Sequence, residues 1–181
     1  MSITSIAGKL FVPRQKELQH YQNGAEKMQD EVLKYLVNTA ASTEYGRNHL
    51  FKTIHSYDDF AKNVPLNTYE ELKGDIDRMR HGESDILSVK WYAKSSGTTN
   101  DKSKFIPVSH DGLQRIHYQG GKDVVALYLR NNPNSRLFDG RSLILGGSHS
   151  PNYNLPGSLV GDLSAILIEN INPFANLVRV P

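Results

Sequence analysis

The chain has 181 residues, enough for one domain with a substantial hydrophobic core. Its 21 basic and 19 acidic residues give a net charge of +2 without any basic run of five or six residues, so we expect no nucleic-acid partner bound through a broad positive surface. Because cysteine is absent, disulfide bonds, thiolate catalysis and cysteine-bound metals are excluded.

The first residues, MSITSIAGKLFVPRQ, carry neither the charged leader nor the apolar core of a secretory signal. No segment approaches the run of about 18 apolar residues that a membrane-spanning helix needs. We therefore expect a cytoplasmic protein without a membrane partner.

Helical patterns fill residues 1–83. Residues 13–40 predict a long amphipathic helix, because apolar side chains recur at spacings of three and four. The face expected to be buried consists of Leu18, Tyr21, Ala25, Met28, Val32 and Leu36. Capping patterns that begin at Ser56 and Thr68 predict two further helices, the second of which covers about residues 69–80.

The pattern changes in residues 84–181. The run ILSVKWYAK (86–94) is rich in β-branched and aromatic residues and predicts a strand, and FIPV (105–108) predicts a short return strand. Ser109 is a candidate N-cap for the next helix. The expected apolar face of that helix consists of Leu113, Ile116, Gly120, Val124, Leu127 and Tyr128. SLILGG (142–147) predicts a buried strand, so the order strand, loop, helix, strand predicts an α/β arrangement.

The loop between the first two strands, KSSGTTNDKSK (94–104), combines hydroxyl side chains, one glycine and three lysines. It lacks the spacing of a P-loop and the three glycines of a dinucleotide-binding fingerprint. Hydroxyl groups donate to phosphate oxygens, glycine permits close backbone approach and lysine supplies a mobile positive charge. On residue chemistry alone, an ordinary polar turn and a phosphate-binding loop both stay open.

The order of the residues in SSGTTNDKSKFIP resembles the phosphate-binding loop of adenylate-forming enzymes. More narrowly, it resembles the acyl acid-amido synthetases named for auxin-responsive plant proteins, whose loop reads S-S-G-T-[ST], a variable stretch, then Lys, two apolar residues and Pro. The flanking segments PLNTYEELKGDIDRMRHGESDIL and GRSLILGGSHSP are also similar, so the resemblance covers about residues 60–165. One departure is Asn100–Asp101, which stands where adenylate-forming enzymes usually place a second glycine.

The resemblance implies a fold and a domain organisation. The chain would be the N-terminal portion of the large domain of an adenylate-forming enzyme, an α/β structure that is mainly helical in residues 1–83 and carries the phosphate loop in residues 84–181. The C-terminal lid domain of such enzymes has no counterpart in the chain. We therefore expect a fragment of a longer enzyme that is inactive alone.

The resemblance also implies an ATP- and Mg²⁺-dependent reaction between a small carboxylic acid and an amine or amino acid, through an acyl-adenylate. Carried over by position, Lys104 is the catalytic lysine of the loop. The residues that would contact the phosphates are Ser95, Ser96, Gly97, Thr98, Thr99 and Asn100. Arg115, His117 and Lys122 are cations on the following helix that could bind the substrate carboxylate, and Lys122 is the best candidate of the three. His149 is a weaker catalytic candidate, and no metal ligand is assigned.

Two alternatives stay open. An acyl-CoA ligase related to aryl-acid ligases would share the loop and differ in the acceptor. A non-catalytic nucleotide-binding or interaction domain would keep the fold without the chemistry, and the departure at Asn100–Asp101 favours this second alternative.

Overall fold

The computed structural model describes residues 3–83, 89–95, 103–173, 175 and 179–180. The first part is helical: α1 Ile3–Asn23, α2 Ala25–Ala40, α3 Glu44–Asn48, a 3₁₀ turn Phe51–Thr53, α4 Tyr57–Asn63 and α5 Tyr69–Arg80. The second part mixes strands and helices: β1 Trp91–Lys94, β2 Phe105–Val108, a π-helical segment Gly112–Tyr118, α6 Gln119–Asn131, a 3₁₀ turn Pro151–Tyr153, β3 Leu159–Gly161 and α7 Leu163–Glu169. In the described part of the chain, no helix combines the length and apolar character needed to cross a membrane.

The helix predicted for residues 13–40 is two helices, α1 and α2, separated at Gly24. Glycine is a poor helix former, and Gly24 leaves the helical conformation with φ −141° and ψ 27°. The predicted buried face is also wrong on α2, where Val32 and Leu36 are exposed. The neighbouring stripe that contains Val37 packs on Phe51 instead. Both stripes have helical spacing, and the tertiary contacts of α2 select the second one.

The two predicted capping patterns are confirmed. The Asp59 amide donates to Ser56 Oγ at 3.2 Å, and the Ser56 amide donates to Asp59 Oδ2 at 3.1 Å. At the start of α5, the amide of Thr68 donates to Glu71 Oε2 at 2.6 Å. These bonds satisfy backbone groups that a helix N-terminus otherwise leaves free, and α5 begins and ends where its sequence pattern predicts.

The three strands form one sheet in the order β2-β1-β3. Strand β1 pairs antiparallel with β2 and parallel with β3. One face of the sheet carries Tyr92 and Val160, against which Ile76 of α5 packs. The other face carries Trp91, which packs on the π-helical segment and on Ile166 of α7. The sheet therefore lies between two helical layers, and Ser95 and Lys104, which flank the β1–β2 connection, lie at one end of this sandwich.

The predicted strand at residues 142–147 is wrong. Leu143 and Leu145 in this segment are 66% and 85% exposed, and a bridge from Ser142 to Arg179 is its single strand-like pairing among the described residues. A strand needs a neighbour that accepts and donates its backbone hydrogen bonds. The residues that follow this segment occupy the free edge of β3 instead, since the Ser150 amide donates to the Val160 carbonyl at 2.8 Å.

Helix α1 is tied to the turn that follows α6. The Thr4 amide and the Thr4 hydroxyl donate to Asp139 Oδ1 at 3.0 Å and 2.9 Å. Farther along α1, Arg14 Nη2 donates to Asp123 Oδ2 of α6 at 2.8 Å, and this contact lowers the pKa of Asp123. Charge-assisted hydrogen bonds thus join the first helix of the chain to α6 and to the turn that follows it.

The Asp139 contact predicts a loss of stability in acid. The Thr4 amide, the Thr4 hydroxyl and Arg136 lower the pKa of Asp139 from 3.8 to about 2. Because this pKa is lower in the folded chain than in the unfolded chain, ionised Asp139 stabilises the fold fully above about pH 4, and this contribution disappears as the pH falls to about 2. Asp139→Asn should therefore lower the urea midpoint at pH 7, and the two proteins should converge towards pH 2. A gap at pH 2 as large as that at pH 7 would contradict the assignment.

Candidate functional site

The β1–β2 connection is closed at its base by Ser95 and Lys104. The Ser95 amide donates to the Lys104 carbonyl at 2.9 Å, and the Lys104 amide donates to Ser95 Oγ at 3.1 Å. These bonds continue the antiparallel register, in which Lys94 lies opposite Phe105. The sequence-predicted loop is therefore held at both ends by the sheet. The Ser95 O–H can still donate to another group, because a hydroxyl can accept through its oxygen and donate its hydrogen at the same time.

Most of the predicted phosphate-contacting residues lie outside the described residues, namely Ser96, Gly97, Thr98, Thr99 and Asn100. The same holds for Asp101 and Lys102. Their roles stay predictions. What the structure brings together is the two described ends of the loop, Ser95 and Lys104.

Lys104 is half-buried and lies against Tyr69, the first residue of α5. Its Nζ is 5.3 Å from the centroid of the Tyr69 ring. The next backbone amide, that of Phe105, donates to Tyr69 Oη at 2.9 Å. Helix α5 therefore contacts both the side chain of the predicted catalytic lysine and the backbone that carries it.

Two further cations surround the base of the loop. Lys94 Nζ is 4.3 Å from the centroid of the Tyr153 ring. The guanidinium of Arg80, which is buried, is 3.9 Å from the centroid of the Phe105 ring, and its Nη2 donates to the Tyr153 carbonyl at 2.8 Å. Arg80 is also paired with Asp77 at 3.7 Å, so Lys94 and Lys104 contribute most of the positive charge that favours an anion here.

Sequence reasoning did not find Tyr69 or Arg80. Both lie on the face of α5 that packs on the sheet, and they flank the apolar residues Leu72 and Ile76 on that face. The available signal was a tyrosine and an arginine at positions where helical spacing calls for apolar side chains. That signal marks unusual positions, but it does not say which strand they face.

The helix after the loop begins as predicted, since the Gly112 amide donates to Ser109 Oγ at 3.0 Å. It begins, however, as a π-helical segment, whose wider turn changes the spacing of the buried residues. Leu113 is buried against Trp91, whereas Ile116 and Val124 are each 68% exposed. The apolar face predicted from ordinary helical spacing is therefore only partly correct.

The candidate substrate-binding cations after the loop have separate locations. Lys122 is exposed on α6, next to Asp123, in a helix that packs mainly against α1. The exposed Arg115 guanidinium lies 4.1 Å from the centroid of the Tyr35 ring, and the His149 ring centroid lies 5.4 Å from that of Trp91. The proposed roles of Arg115 and His149 stay predictions. His117 is half-buried. The role of Lys122 in substrate binding stays a prediction.

The chain matches the family described as the GH3 family N-terminal domain over residues 14–178, which extends the resemblance beyond residues 60–165 at both ends. It is 35% identical over 106 residues to the indole-3-acetic acid-amido synthetase GH3.15 of Arabidopsis thaliana, covering 56% of this chain and 18% of that protein. It is 30% identical over 110 residues to the 4-substituted benzoates-glutamate ligase GH3.12 of the same plant, covering 58% of this chain and 19% of that protein.

Solved structures give the same picture. The fold is similar to that of AtGH3.15 acyl acid amido synthetase in complex with 2,4-DB, with a TM-score of 0.72 and 27% identity, covering 91% of this chain and 28% of that one. A second GH3.15 acyl acid amido synthetase structure matches with a TM-score of 0.63, 27% identity, and coverage of 80% of this chain and 26% of that one. The expected fold, a helical first half followed by a small sheet, is confirmed. The chain spans less than a third of each of these relatives.

Proposed function

Since this chain belongs to the GH3 family, we propose that it supplies the phosphate-binding part of an ATP-dependent ligase that joins a small carboxylic acid to an amine. The observation that carries the proposal is the closed loop base, where Ser95 and Lys104 are hydrogen-bonded to each other. The order of residues in this loop resembles that of the family motif. The relatives are by name an amido synthetase and a benzoates-glutamate ligase, which supports an amide as the product.

The proposed chemistry has two steps. In the first, a carboxylate oxygen of the acid attacks the α-phosphorus of ATP, the bond between the α-phosphorus and the bridging oxygen breaks, and pyrophosphate leaves. In the second, the amine nitrogen attacks the acyl carbon, AMP leaves with the electron pair of the broken C–O bond, and the nitrogen loses a proton. The first step moves negative charge onto the departing pyrophosphate.

The residues of this chain would act mainly by position and charge. Lys104 would hold the β- and γ-phosphates and stabilise the charge that develops on them, while the loop hydroxyls and the backbone at Gly97 would donate hydrogen bonds. The cationic surroundings of the loop base fit a triphosphate. Mg²⁺ would neutralise part of the phosphate charge, and we assign it no protein ligand, since Mg²⁺ often binds mainly through phosphates and water.

Substrates and organisation belong to the same proposal. We infer an aryl or acyl carboxylic acid as the acid and an amino acid as the amine, because the relatives are named for such compounds. We also infer that the chain is part of a large N-terminal domain and depends on a lid domain beyond its own sequence for turnover. The cytoplasmic location stays a prediction from the sequence.

Carboxylate-dependent exchange of labelled pyrophosphate into ATP tests the proposal. The assay should compare the longest product of the gene with residues 1–181 alone, across a panel of aryl and acyl acids. Exchange by the longer product only is the expected result. No exchange by either protein with any acid would favour the non-catalytic alternative.

A second readout separates the two ligase candidates. Each acid that supports exchange should be incubated with amino acids or with coenzyme A, and the products identified by mass spectrometry. An acyl amide is expected, and a thioester without amide would support the acyl-CoA ligase.

A further inference from the structure

Tyr69 contacts two consecutive residues at the point where the loop returns to the sheet. Its hydroxyl oxygen accepts the Phe105 amide at 2.9 Å, and its ring faces the Lys104 ammonium at 5.3 Å. Strand β2 is at the edge of the sheet. Because the Lys104 backbone already bonds to Ser95, the alternation of an antiparallel ladder directs the Phe105 amide away from β1. Tyr69 therefore supplies the acceptor that the sheet does not.

We propose that Tyr69 is the positioning residue for Lys104. Its hydroxyl oxygen fixes the peptide group between Lys104 and Phe105, and its ring orients the Lys104 ammonium group. The inference rests on the proposed function, in which Lys104 binds the phosphates. Tyr69 acts through Lys104 and makes no contact with the nucleotide itself.

An aromatic ring suits this task better than a carboxylate would. A lysine side chain is long and flexible, so holding its end in one direction reduces the conformational freedom that it loses on binding phosphate. The ring attracts the ammonium through its quadrupole and leaves the positive charge uncompensated. Among the described residues, no carboxylate forms an ion pair with Lys104.

The location of Tyr69 makes it a firm support. The bonds between Thr68 and Glu71 cap α5 immediately beside it. The following turns of the helix pack on the sheet through Leu72 and Ile76. Glu71 is engaged at the helix N-terminus by the amide and hydroxyl of Thr68, so this neighbouring carboxylate is directed to the cap.

A double-mutant cycle in the longest product of the gene tests the proposal. Tyr69→Leu removes both contacts and should lower kcat/KM for ATP in the exchange assay about tenfold, whereas Tyr69→Phe keeps the ring and should lower it about threefold. In a Lys104→Ala background, Tyr69→Leu should cause no further loss, because its effect passes through Lys104. Tyr57→Leu is the matched control, since Tyr57 is likewise the first residue of a capped helix, α4, and its side chain is 69% exposed. Measured below its unfolding transition, it should leave kcat/KM for ATP unchanged.

The outcomes separate this inference from the proposed function. If Lys104→Ala lowers exchange and Tyr69→Leu causes the same loss in both backgrounds, Tyr69 has a general structural role and the positioning inference is overturned. If Lys104→Ala leaves exchange unchanged, the assignment of Lys104 is overturned and the inference with it. Absence of exchange by the unaltered protein with every acid would overturn both.

Discussion

Replacement of Lys104 by alanine is expected to lower the rate of acid-dependent pyrophosphate exchange by about a hundredfold or more, the usual effect of removing one group that stabilises developing charge. Stability should change by less than about 1 kcal/mol. The hydrogen bonds that close the loop base use the amide and carbonyl of Lys104, and alanine retains both. The lost side-chain contact is the weak one with the Tyr69 ring.

The control for this experiment is Lys90→Ala. Lys90 is an exposed lysine just before β1, at the end of the strand opposite the loop. Its backbone carbonyl accepts the Leu159 amide, and alanine keeps this bond too. Each variant thus removes one positive charge, Lys104 beside the loop and Lys90 at the opposite end of β1. Equal exchange rates for Lys104→Ala and Lys90→Ala would remove Lys104 from the phosphate site.

Local signals in the sequence were sufficient for the elements nearest the loop. Strand β2 and helix α5 lie where their patterns predict, because a capping box at Thr68 and a short apolar run at residues 105–108 depend on neighbours within a few residues. The pairing of the two loop ends is predictable for the same reason, because a hairpin brings together the residues that flank its loop. The resemblance to the family motif favours a phosphate-binding loop, which residue composition alone left undecided, and that role stays a prediction.

Choices made by distant contacts could not be predicted in this way. Helix α2 has two apolar stripes, and only contact with Phe51 selects the one that contains Val37. The segment 142–147 has the composition of a buried strand but lacks a partner strand, which no local pattern reports. The contact between Tyr69 and Lys104 joins residues 35 positions apart through the packing of α5 on the sheet, so the support of the site became visible only in three dimensions.

Helix α5 is itself held in place by α3. Arg78 of α5 donates to both carboxylate oxygens of Glu44 of α3, at 3.0 Å and 2.8 Å, and this contact lowers the pKa of Glu44. Helix α3 in turn lies against the end of α2 at Gly46, which is buried. A Cβ at Gly46 would lie 2.0 Å from the carbonyl oxygen of Ala40 and 2.9 Å from its carbonyl carbon. Both atoms are backbone, so relief requires that one helix shift.

Gly46→Ala is therefore expected to destabilise the fold by about 3 kcal/mol or more, at the upper end of overpacking effects. Gly74→Ala is the matched control, because Gly74 is also helical, in α5, and a Cβ there meets nothing within 4 Å. That change should stabilise by about 0.5–1 kcal/mol, since alanine is the better helix former. Urea unfolding of both variants measures the difference. If the urea midpoint of Gly46→Ala equals that of the unaltered chain, α3 can move away from α2 at little cost in free energy. Helix α3 would then do little to hold α5, the helix that carries Tyr69, in place.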